Sequence, residues 1–153
     1  MCYTASTVAR YFIEKSNGNK TSMQLNKMTY IAHGWYLAIK NKSLIIEEVE
    51  AWEYGPVIPI LFDTFKKYKG GIVPYIPVED TKSIKDEDKI VLDKVFDVYD
   101  KYDGLYLSAM THQKGTPWSK TWRSGRNRTI SNDIIKKYYV KLGQEPLSKT
   151  NAA

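Results

Sequence analysis

The fold is decided by the stretch TSMQLNKMTYIAHGWYLAIK, residues 21–40 of a chain of 153. Apolar side chains recur along it at helical spacing: Leu25, Met28, Ile31, Ala32, Trp35, Tyr36, Leu37 and Ile39. This period predicts an α-helix, and an apolar arc this broad is typical of a helix enclosed by others. We therefore expect Thr21 or Ser22 to cap a helix that ends near Lys40 and forms the centre of a bundle.

The flanking sequence predicts six more helices and a small amount of strand. A first helix is capped by Thr4 or Ser6 and ends at a turn over residues 16–19. The others are expected at about residues 56–68, 86–102, 105–111, 117–122 and 131–143. Two extended segments, 45–54 and the edge strand 72–78, are expected to pair. The predicted fold class is mainly α (α+β): a compact bundle of six or seven helices around a central apolar helix, with a small two- or three-stranded β ribbon.

Composition excludes several classes of protein. With 42% hydrophobic and 13% aromatic residues, a chain of this length buries roughly two-thirds of its unfolded surface without a metal or disulfide. No apolar run reaches about 18 residues, so we expect no membrane span. The first residues lack the regions of a signal peptide. Cys2 is the only cysteine, which excludes an intrachain disulfide and a thiolate metal cluster. We expect a cytoplasmic protein.

The net charge of +6 is unevenly distributed. Residues 1–78 carry +3, residues 79–103 carry −4 and residues 104–153 carry +7. The chain therefore has an acidic middle and a basic end. Such an end suits nucleic acid or an acidic protein surface, and charge alone does not choose between them.

Residues suited to catalysis are few. His33 falls within the central helix, where a packed, hydrogen-bonded histidine is expected, and His112 is the only other histidine. Two histidines without metal-binding spacing make a poor zinc site. The acids Glu47, Glu48 and Glu50 suit acid–base work or a divalent cation, but a solvated strand edge explains them equally well. The sequence thus predicts no catalytic residue, metal site or cofactor, and a small hydrolase or transferase is the last-ranked alternative.

The segment THQKGTPWSKTWRSGRNR, residues 111–128, combines aromatic and basic residues. They are Trp118, Trp122, Lys114, Lys120, Arg123, Arg126 and Arg128. Arginines near aromatic rings hold phosphates, stack on bases or anchor protein interfaces. The alternative is a core-packed tryptophan beside a solvated basic loop. Since no helix-turn-helix with a basic recognition helix is present, protein binding ranks above nucleic-acid binding.

The stretch EAWEYGPVIP, residues 50–59, places aromatic residues next to a glycine–proline pair. The residue before a proline avoids the right-handed helical region, and proline suits the first position of a helix. We therefore expect Gly55 and Pro56 to turn a strand into a helix. Trp52 and Tyr54 would share one face of that strand. We expect Trp52 in the core, and Tyr54 either in the core or exposed as an anchor for a partner.

Five segments, in this order, resemble the Panacea domain: YTASTVARYFIEK, LNKMTYIAHGWYLAIKNKSLI, VEAWEYGPVIPILFDTFKKY, LSAMTHQKGTPW and ISNDIIKKYY. That family includes SocA-like antitoxins and phage-associated proteins. The resemblance runs from about Tyr3 to Tyr139. It predicts one Panacea-like domain over residues 1–143, followed by a flexible tail over residues 144–153.

The resemblance implies a bacterial toxin-neutralising protein, encoded beside its toxin and often carried on prophages or other mobile elements. Members bind their toxins directly, and one branch acts as an adaptor that delivers its toxin to a AAA+ protease. No enzymatic activity comes with the family. We therefore expect an antitoxin that binds its cognate toxin, with the protease adaptor and a nucleic-acid-binding autoregulator as alternatives.

The family motif is carried over position by position. Six of its residues are expected to be structural: Trp52, Gly55, Pro56, Thr111, His112 and Pro117. Partner contacts are expected at aromatic and basic positions: Tyr54, Trp118, Lys120, Trp122, Arg123, Arg126 and Arg128.

The last residues of the chain, Asn151, Ala152 and Ala153, form a small apolar end. A terminal Ala-Ala resembles the tags read by bacterial AAA+ proteases. One hypothesis is that this tail makes the free protein short-lived, and the alternative is an inert frayed end.

Overall fold

The chain is a helical bundle with two small antiparallel sheets, described by a computed structural model for residues 2–75, 80–124 and 126–145. In those ranges the helices are α1 (Ala5–Lys15), α2 (Ser22–Lys40), α3 (Pro59–Phe65), α4 (Asp86–Tyr99), α5 (Gly104–Thr111), α6 (Pro117–Thr121) and α7 (Asn132–Gln144). The strands are β1 (Lys20–Thr21), β2 (Val49–Trp52), β3 (Gly55–Val57), β4 (Ile72–Val73) and β5 (Arg128–Ile130). Short 3-10 helices cover Lys66–Tyr68 and Asp80–Ser83.

Helix α2 is the centre of the bundle, as the sequence predicts. It packs against α1, α3, α4, α5 and α7, and twelve of its nineteen residues are buried. A capping box of Thr21 and Gln24 begins it, and Asn41, in the left-handed region, ends it. The expected class, a mainly α bundle with a small β ribbon, is confirmed. Ile39, one residue before the end of α2, was expected on the apolar stripe but is 59% exposed.

Helices α2 and α7 approach each other closely at Gly34. A Cβ atom at that position would lie 2.2 Å from Cε2 of Tyr139, a buried residue of α7. The ring of Tyr139 also packs edge-on against Trp35, with 5.1 Å between centroids. Glycine is therefore required at this point of α2 for packing.

The start of the chain is held to α4 by a buried carboxylate. Asp88, in the first turn of α4, accepts hydrogen bonds from the hydroxyls of Tyr3 (2.5 Å) and Tyr36 (2.8 Å). Tyr3 in turn accepts from the backbone N–H of Lys85. This cluster joins the N-terminal segment, α2 and α4.

The sheets differ in pairing from the sequence-based expectation. Strand β2 lies between β3 and β5, so both of its edges are occupied. The segment expected to pair with it instead contributes β4, which pairs with β1 and places Val73 opposite Lys20. The expected pairing was therefore wrong, and residues 76–78 of that segment lie outside the described residues.

The expectation that Pro56 opens a helix was also wrong. Pro56 lies in β3 opposite Ala51, and helix α3 begins at Pro59. Side chains of α2 hold the intervening chain extended, because Asn26 bonds both the N–H and the carbonyl of Ile58. Ile60, in the first turn of α3, is exposed.

Smaller differences concern the ends of elements. Helix α4 ends at Tyr99 rather than near residue 102, and α7 continues past Gly143 to Gln144. The cap expected at Thr4 is confirmed, and the side chain of Ser131 caps α7. The part of the expected tail from residue 146 onward, including its Ala152-Ala153 end, lies outside the described residues. No helix within the described ranges combines the length and apolar character that crossing a bilayer requires.

Candidate partner-binding surface

The hairpin of β2 and β3 is fastened to the bundle through its backbone. Four alternate carbonyl groups each accept a hydrogen bond from a side chain of α2, α5 or α6. The bonds run from Trp118 Nε1 to the carbonyl of Trp52 (2.5 Å), Ser108 Oγ to that of Tyr54 (2.8 Å), Lys27 Nζ to that of Pro56 (2.6 Å) and Asn26 Nδ2 to that of Ile58 (3.2 Å). Because these donors come from three helices, the hairpin has a defined position on the bundle.

The two parts of the family motif, at residues 52–56 and 111–117, meet at this hairpin. Gly55 is buried with φ +127, and a Cβ atom there would lie 3.3 Å from Lys27 Nζ and 3.7 Å from His112. The ring of His112 packs edge-on against Trp118, 5.2 Å between centroids, and its Nδ1 lies 2.5 Å from the carbonyl of Ser108. The remaining motif residues Pro56, Thr111 and Pro117 are buried.

Trp52 and Tyr54 have different surroundings, although the sequence places them on one strand face. Strand β2 ends at Trp52, so Tyr54 lies in the turn of the hairpin and is 72% exposed. Trp52 is half-buried, packs edge-on against Phe62 and donates its ring N–H to Glu50. A hydrogen bond to Glu53 raises the pKa of the Tyr54 phenol. Tyr54 therefore presents an aromatic ring to solvent.

A groove of about 620 Å³ runs beside the hairpin, between the start of α2 and α3. We call it the hairpin groove. It is lined by Ser22, Met23, Asn26, Lys27, Trp52, Glu53, Tyr54, Val57, Leu61, Phe62, Lys66, Lys69, Gly70, Ser108 and Asn127. Met23, Tyr54 and Phe62 are exposed apolar side chains along it. The groove thus offers apolar contact area beside an exposed tyrosine.

The basic segment, residues 120–128, lies next to this groove. Its cations Lys120, Arg123, Arg126 and Arg128 are exposed and line a shallow basin of about 690 Å³. None of the four forms an ion pair with another described residue. Asn127 lines both the basin and the hairpin groove, so the two surfaces are continuous.

Trp118, which precedes this segment, and Trp122, which lies within it, are half-buried. Trp118 and Trp122 stack with 5.3 Å between ring centroids and pack against the core. Among the expected partner contacts, Tyr54 and the four cations are therefore exposed, whereas the two tryptophans are half-buried against the core. The hydrogen bond from Trp118 Nε1 to the carbonyl of Trp52 joins the pair of tryptophans to the hairpin that carries Tyr54.

The groups considered for catalysis lie in separate places. His33 is buried, as expected, with Nε2 2.9 Å from Asn132 Oδ1, and burial lowers its pKa. Glu47, Glu48 and Glu50 accept hydrogen bonds from three different groups: the N–H of Ala5, the hydroxyl of Thr129 and the ring N–H of Trp52. Across the described ranges, no group of three His, Cys, Asp or Glu side chains is placed to hold a metal ion.

Sequence reasoning missed two residues of this site, Asn26 and Lys27. Both lie on the buried side of α2 and hold the chain after the hairpin turn. A signal existed, because Lys27 stands between Leu25 and Met28, two residues of the apolar stripe. A lysine that is buried at such a position is almost never left without a partner.

Comparison with known proteins agrees with the resemblance noted in the sequence. The family described as "Antitoxin SocA-like, Panacea domain" matches residues 25–119, from α2 to α6. The antitoxin SocA of Caulobacter vibrioides (strain NA1000 / CB15N) is 26% identical over 108 residues, which cover 64% of this chain and 57% of that protein. The chain thus spans less than two-thirds of the length of this relative. No solved structure matches the chain. Since the family match covers more than half of the sequence, the chain belongs to the antitoxin SocA-like, Panacea-domain family.

Proposed function

We propose that this protein is an antitoxin that neutralises a toxin by binding it directly through the hairpin groove and the basic segment. Membership of the antitoxin SocA-like family supports the antitoxin role. The relative from Caulobacter vibrioides carries the same word in its name. The surface is proposed from the geometry of the hairpin.

The observation that carries this proposal is the exposed ring of Tyr54. Its own backbone carbonyl is bonded to Ser108, and the flanking carbonyls of Trp52 and Pro56 are bonded to α6 and α2. A tyrosine presented on a pre-positioned backbone loses little conformational entropy on binding. Tyrosines of this kind are enriched among the residues that dominate protein interfaces.

The basic segment adds a charge preference to this surface. Its four exposed cations lie beside the groove without ion-pair partners among the described residues. They suit an acidic face of the toxin, which they would attract over distance and hold in register. The expected complex therefore forms more slowly as salt is raised.

Co-expression with the product of the adjacent gene tests the proposal. We expect growth to be restored and the two proteins to be recovered as a complex. Tyr54→Ala should weaken the complex at least tenfold, whereas Tyr75→Ala, at another exposed tyrosine outside the groove, should leave it unchanged. Toxicity without rescue, or equal effects of the two variants, would contradict the proposal.

Two further measurements separate this proposal from the two alternatives. A proteolytic adaptor would lower the amount of toxin only in cells that contain the AAA+ protease. A nucleic-acid-binding autoregulator would bind DNA with an affinity that falls steeply between low and physiological salt. Direct neutralisation requires neither the protease nor DNA.

A further inference from the structure

Lysine 27 is enclosed at the inner side of the hairpin groove. Its side chain lines the groove, yet the residue is only 4% exposed. An ammonium group has three N–H donors, and one of them is used, in the bond to the carbonyl of Pro56. Within the described ranges Lys27 forms no ion pair. Two donors of a buried cation are thus left without an assigned acceptor.

The charge of Lys27 persists at neutral pH although it is buried. Desolvation alone lowers the pKa of Lys27, to about 8. The ammonium form therefore predominates at pH 7. A buried charge without a counter-charge destabilises a fold, and the bond that holds the hairpin uses only one of the three donors of Lys27. The remaining two donors suggest a role beyond that bond.

The walls of the groove define what can approach this ammonium. Val57 and Phe62 supply apolar surface, and Lys66 and Lys69 add positive charge at the rim. Lys66 has an ion-pair partner in Asp63. The one carboxylate that lines the groove belongs to Glu53, which is exposed and bonded to the hydroxyl of Tyr54. The complementary ligand is therefore a carboxylate next to an apolar group.

We propose that the hairpin groove receives an aspartate or glutamate side chain of the toxin, flanked by an apolar residue, whose carboxylate accepts hydrogen bonds from the Lys27 ammonium. The inference rests on the proposed antitoxin function. A carboxylate in this position supplies the missing counter-charge through charge-assisted hydrogen bonds, which are stronger than neutral ones. The apolar neighbour covers the exposed ring of Phe62 and excludes water from the pair. Binding energy is then concentrated at one buried contact.

A small-molecule experiment tests the groove without the toxin. Hydrocinnamate carries a carboxylate on an apolar group, and hydrocinnamamide is its neutral counterpart. With lysine labelled by carbon-13, we expect millimolar hydrocinnamate to shift the Cε signal of Lys27 and to raise its apparent pKa. The amide should bind at least tenfold more weakly. Equal binding of acid and amide, or no response of Lys27, would overturn the proposal.

A variant experiment tests whether the toxin supplies the carboxylate. Lys27→Met should weaken the toxin complex at least tenfold, while Lys94→Met, at an exposed lysine of α4, should not. Because Lys27→Met also removes a bond that positions the hairpin, the labelled wild-type protein provides the deciding measurement. In the wild-type complex, the Lys27 pKa must then rise well above its value in the free protein.

The outcomes separate the two proposals. If hydrocinnamate binds at Lys27 but Lys27→Met leaves the affinity for the toxin unchanged, the toxin is not the source of the carboxylate. A wild-type protein that binds no toxin would contradict the proposed function and also the toxin carboxylate as the occupant of the hairpin groove. Failure of hydrocinnamate to reach Lys27, with an intact toxin complex, would overturn the carboxylate site alone.

Discussion

The ring N–H of Trp118 donates a 2.5 Å hydrogen bond to the carbonyl oxygen of Trp52, which joins residues 66 positions apart in the sequence. The bond connects the last residue of β2 to the first turn of α6. It brings together the hairpin that presents Tyr54 and the helix that precedes the basic segment. This bond is one of the four side-chain bonds that position the hairpin, and it joins the two halves of the family motif directly.

Replacing Trp118 by phenylalanine should lower stability through this bond. The variant keeps an aromatic ring to stack on Trp122 but leaves the Trp52 carbonyl without its donor. We expect the free energy of unfolding to fall by about 1–2 kcal/mol in urea denaturation. Trp122→Phe is the matched control, since the ring nitrogen of Trp122 has no partner within the described ranges. Equal losses for the two variants would refute a specific role of the bond.

Replacing Gly34 by alanine should destabilise the contact between α2 and α7. Alanine normally favours a helix over glycine by roughly 1 kcal/mol, but its Cβ would lie 2.2 Å from the ring of Tyr139. We expect a net loss of about 2–3 kcal/mol by thermal or urea unfolding, because overpacking of this size forces side chains or helices apart.

A control on the same helix isolates this clash. Ile39→Ala changes a side chain that is 59% exposed and should shift the free energy of unfolding much less than Gly34→Ala. A Gly34→Ala protein as stable as the wild type would show that α2 and α7 are not packed as closely as described.

Removing the buried carboxylate of Asp88 should release the N-terminal segment. Asp88→Ala leaves the hydroxyls of Tyr3 and Tyr36 without their acceptor, so we expect a loss of about 2–4 kcal/mol. Faster amide hydrogen exchange in α1 would accompany it. Asp86→Ala, at an exposed position of the same first turn, should cost less than 1 kcal/mol, about what a helix-dipole contact contributes.

The titration of Lys27 predicts a specific dependence of stability on pH. Burial lowers its folded pKa to about 8, below the unfolded value of about 10.4. Between these values the unfolded chain binds more protons than the folded one, so the free energy of unfolding rises with pH. The contribution of Lys27 should increase by about 1 kcal/mol from pH 7 to pH 9.

Comparison with Lys27→Met isolates this contribution. The variant lacks the titrating group, so the difference in unfolding free energy between it and the wild type should change by that amount over the same range. Burial raises the pKa of Tyr36 and of Tyr99, and these phenols lower stability only near pH 10 and above. Parallel pH profiles below pH 9 would show that Lys27 is not desolvated.

The basic segment should act on association rather than on stability. Alanine at Arg123, Arg126 and Arg128 removes exposed side chains, so the free energy of unfolding should change by less than about 0.5 kcal/mol per residue. We expect the rate of toxin association to fall several-fold at low salt, and the dependence of that rate on salt to weaken.

A variant with the same change in net charge serves as the control. It carries alanine at Lys94, Lys137 and Lys141, which are exposed on α4 and α7. If both triple variants slow association equally, net charge rather than the location of the basic segment controls the encounter.

Local signals in the sequence determined the longer helices. The capping box of Thr21 and Gln24 and the apolar period after it define α2, and side-chain caps at Thr4 and Ser131 begin α1 and α7. Caps and periodicity operate within one or two turns, so they can be read without knowledge of the rest of the chain. The family motif was readable for the same reason, as a set of neighbouring letters.

Tertiary structure alone decided where the short elements lie and what the candidate surface exposes. Pro56 is extended rather than helical because Asn26 and Lys27 hold the chain around it. Strand β4 pairs with β1 because both edges of β2 are already occupied. Strands of two to four residues have too few side chains to show a period, and contacts distant in sequence stabilise them. The exposure of Tyr54 and the burial of Lys27 follow from those same contacts.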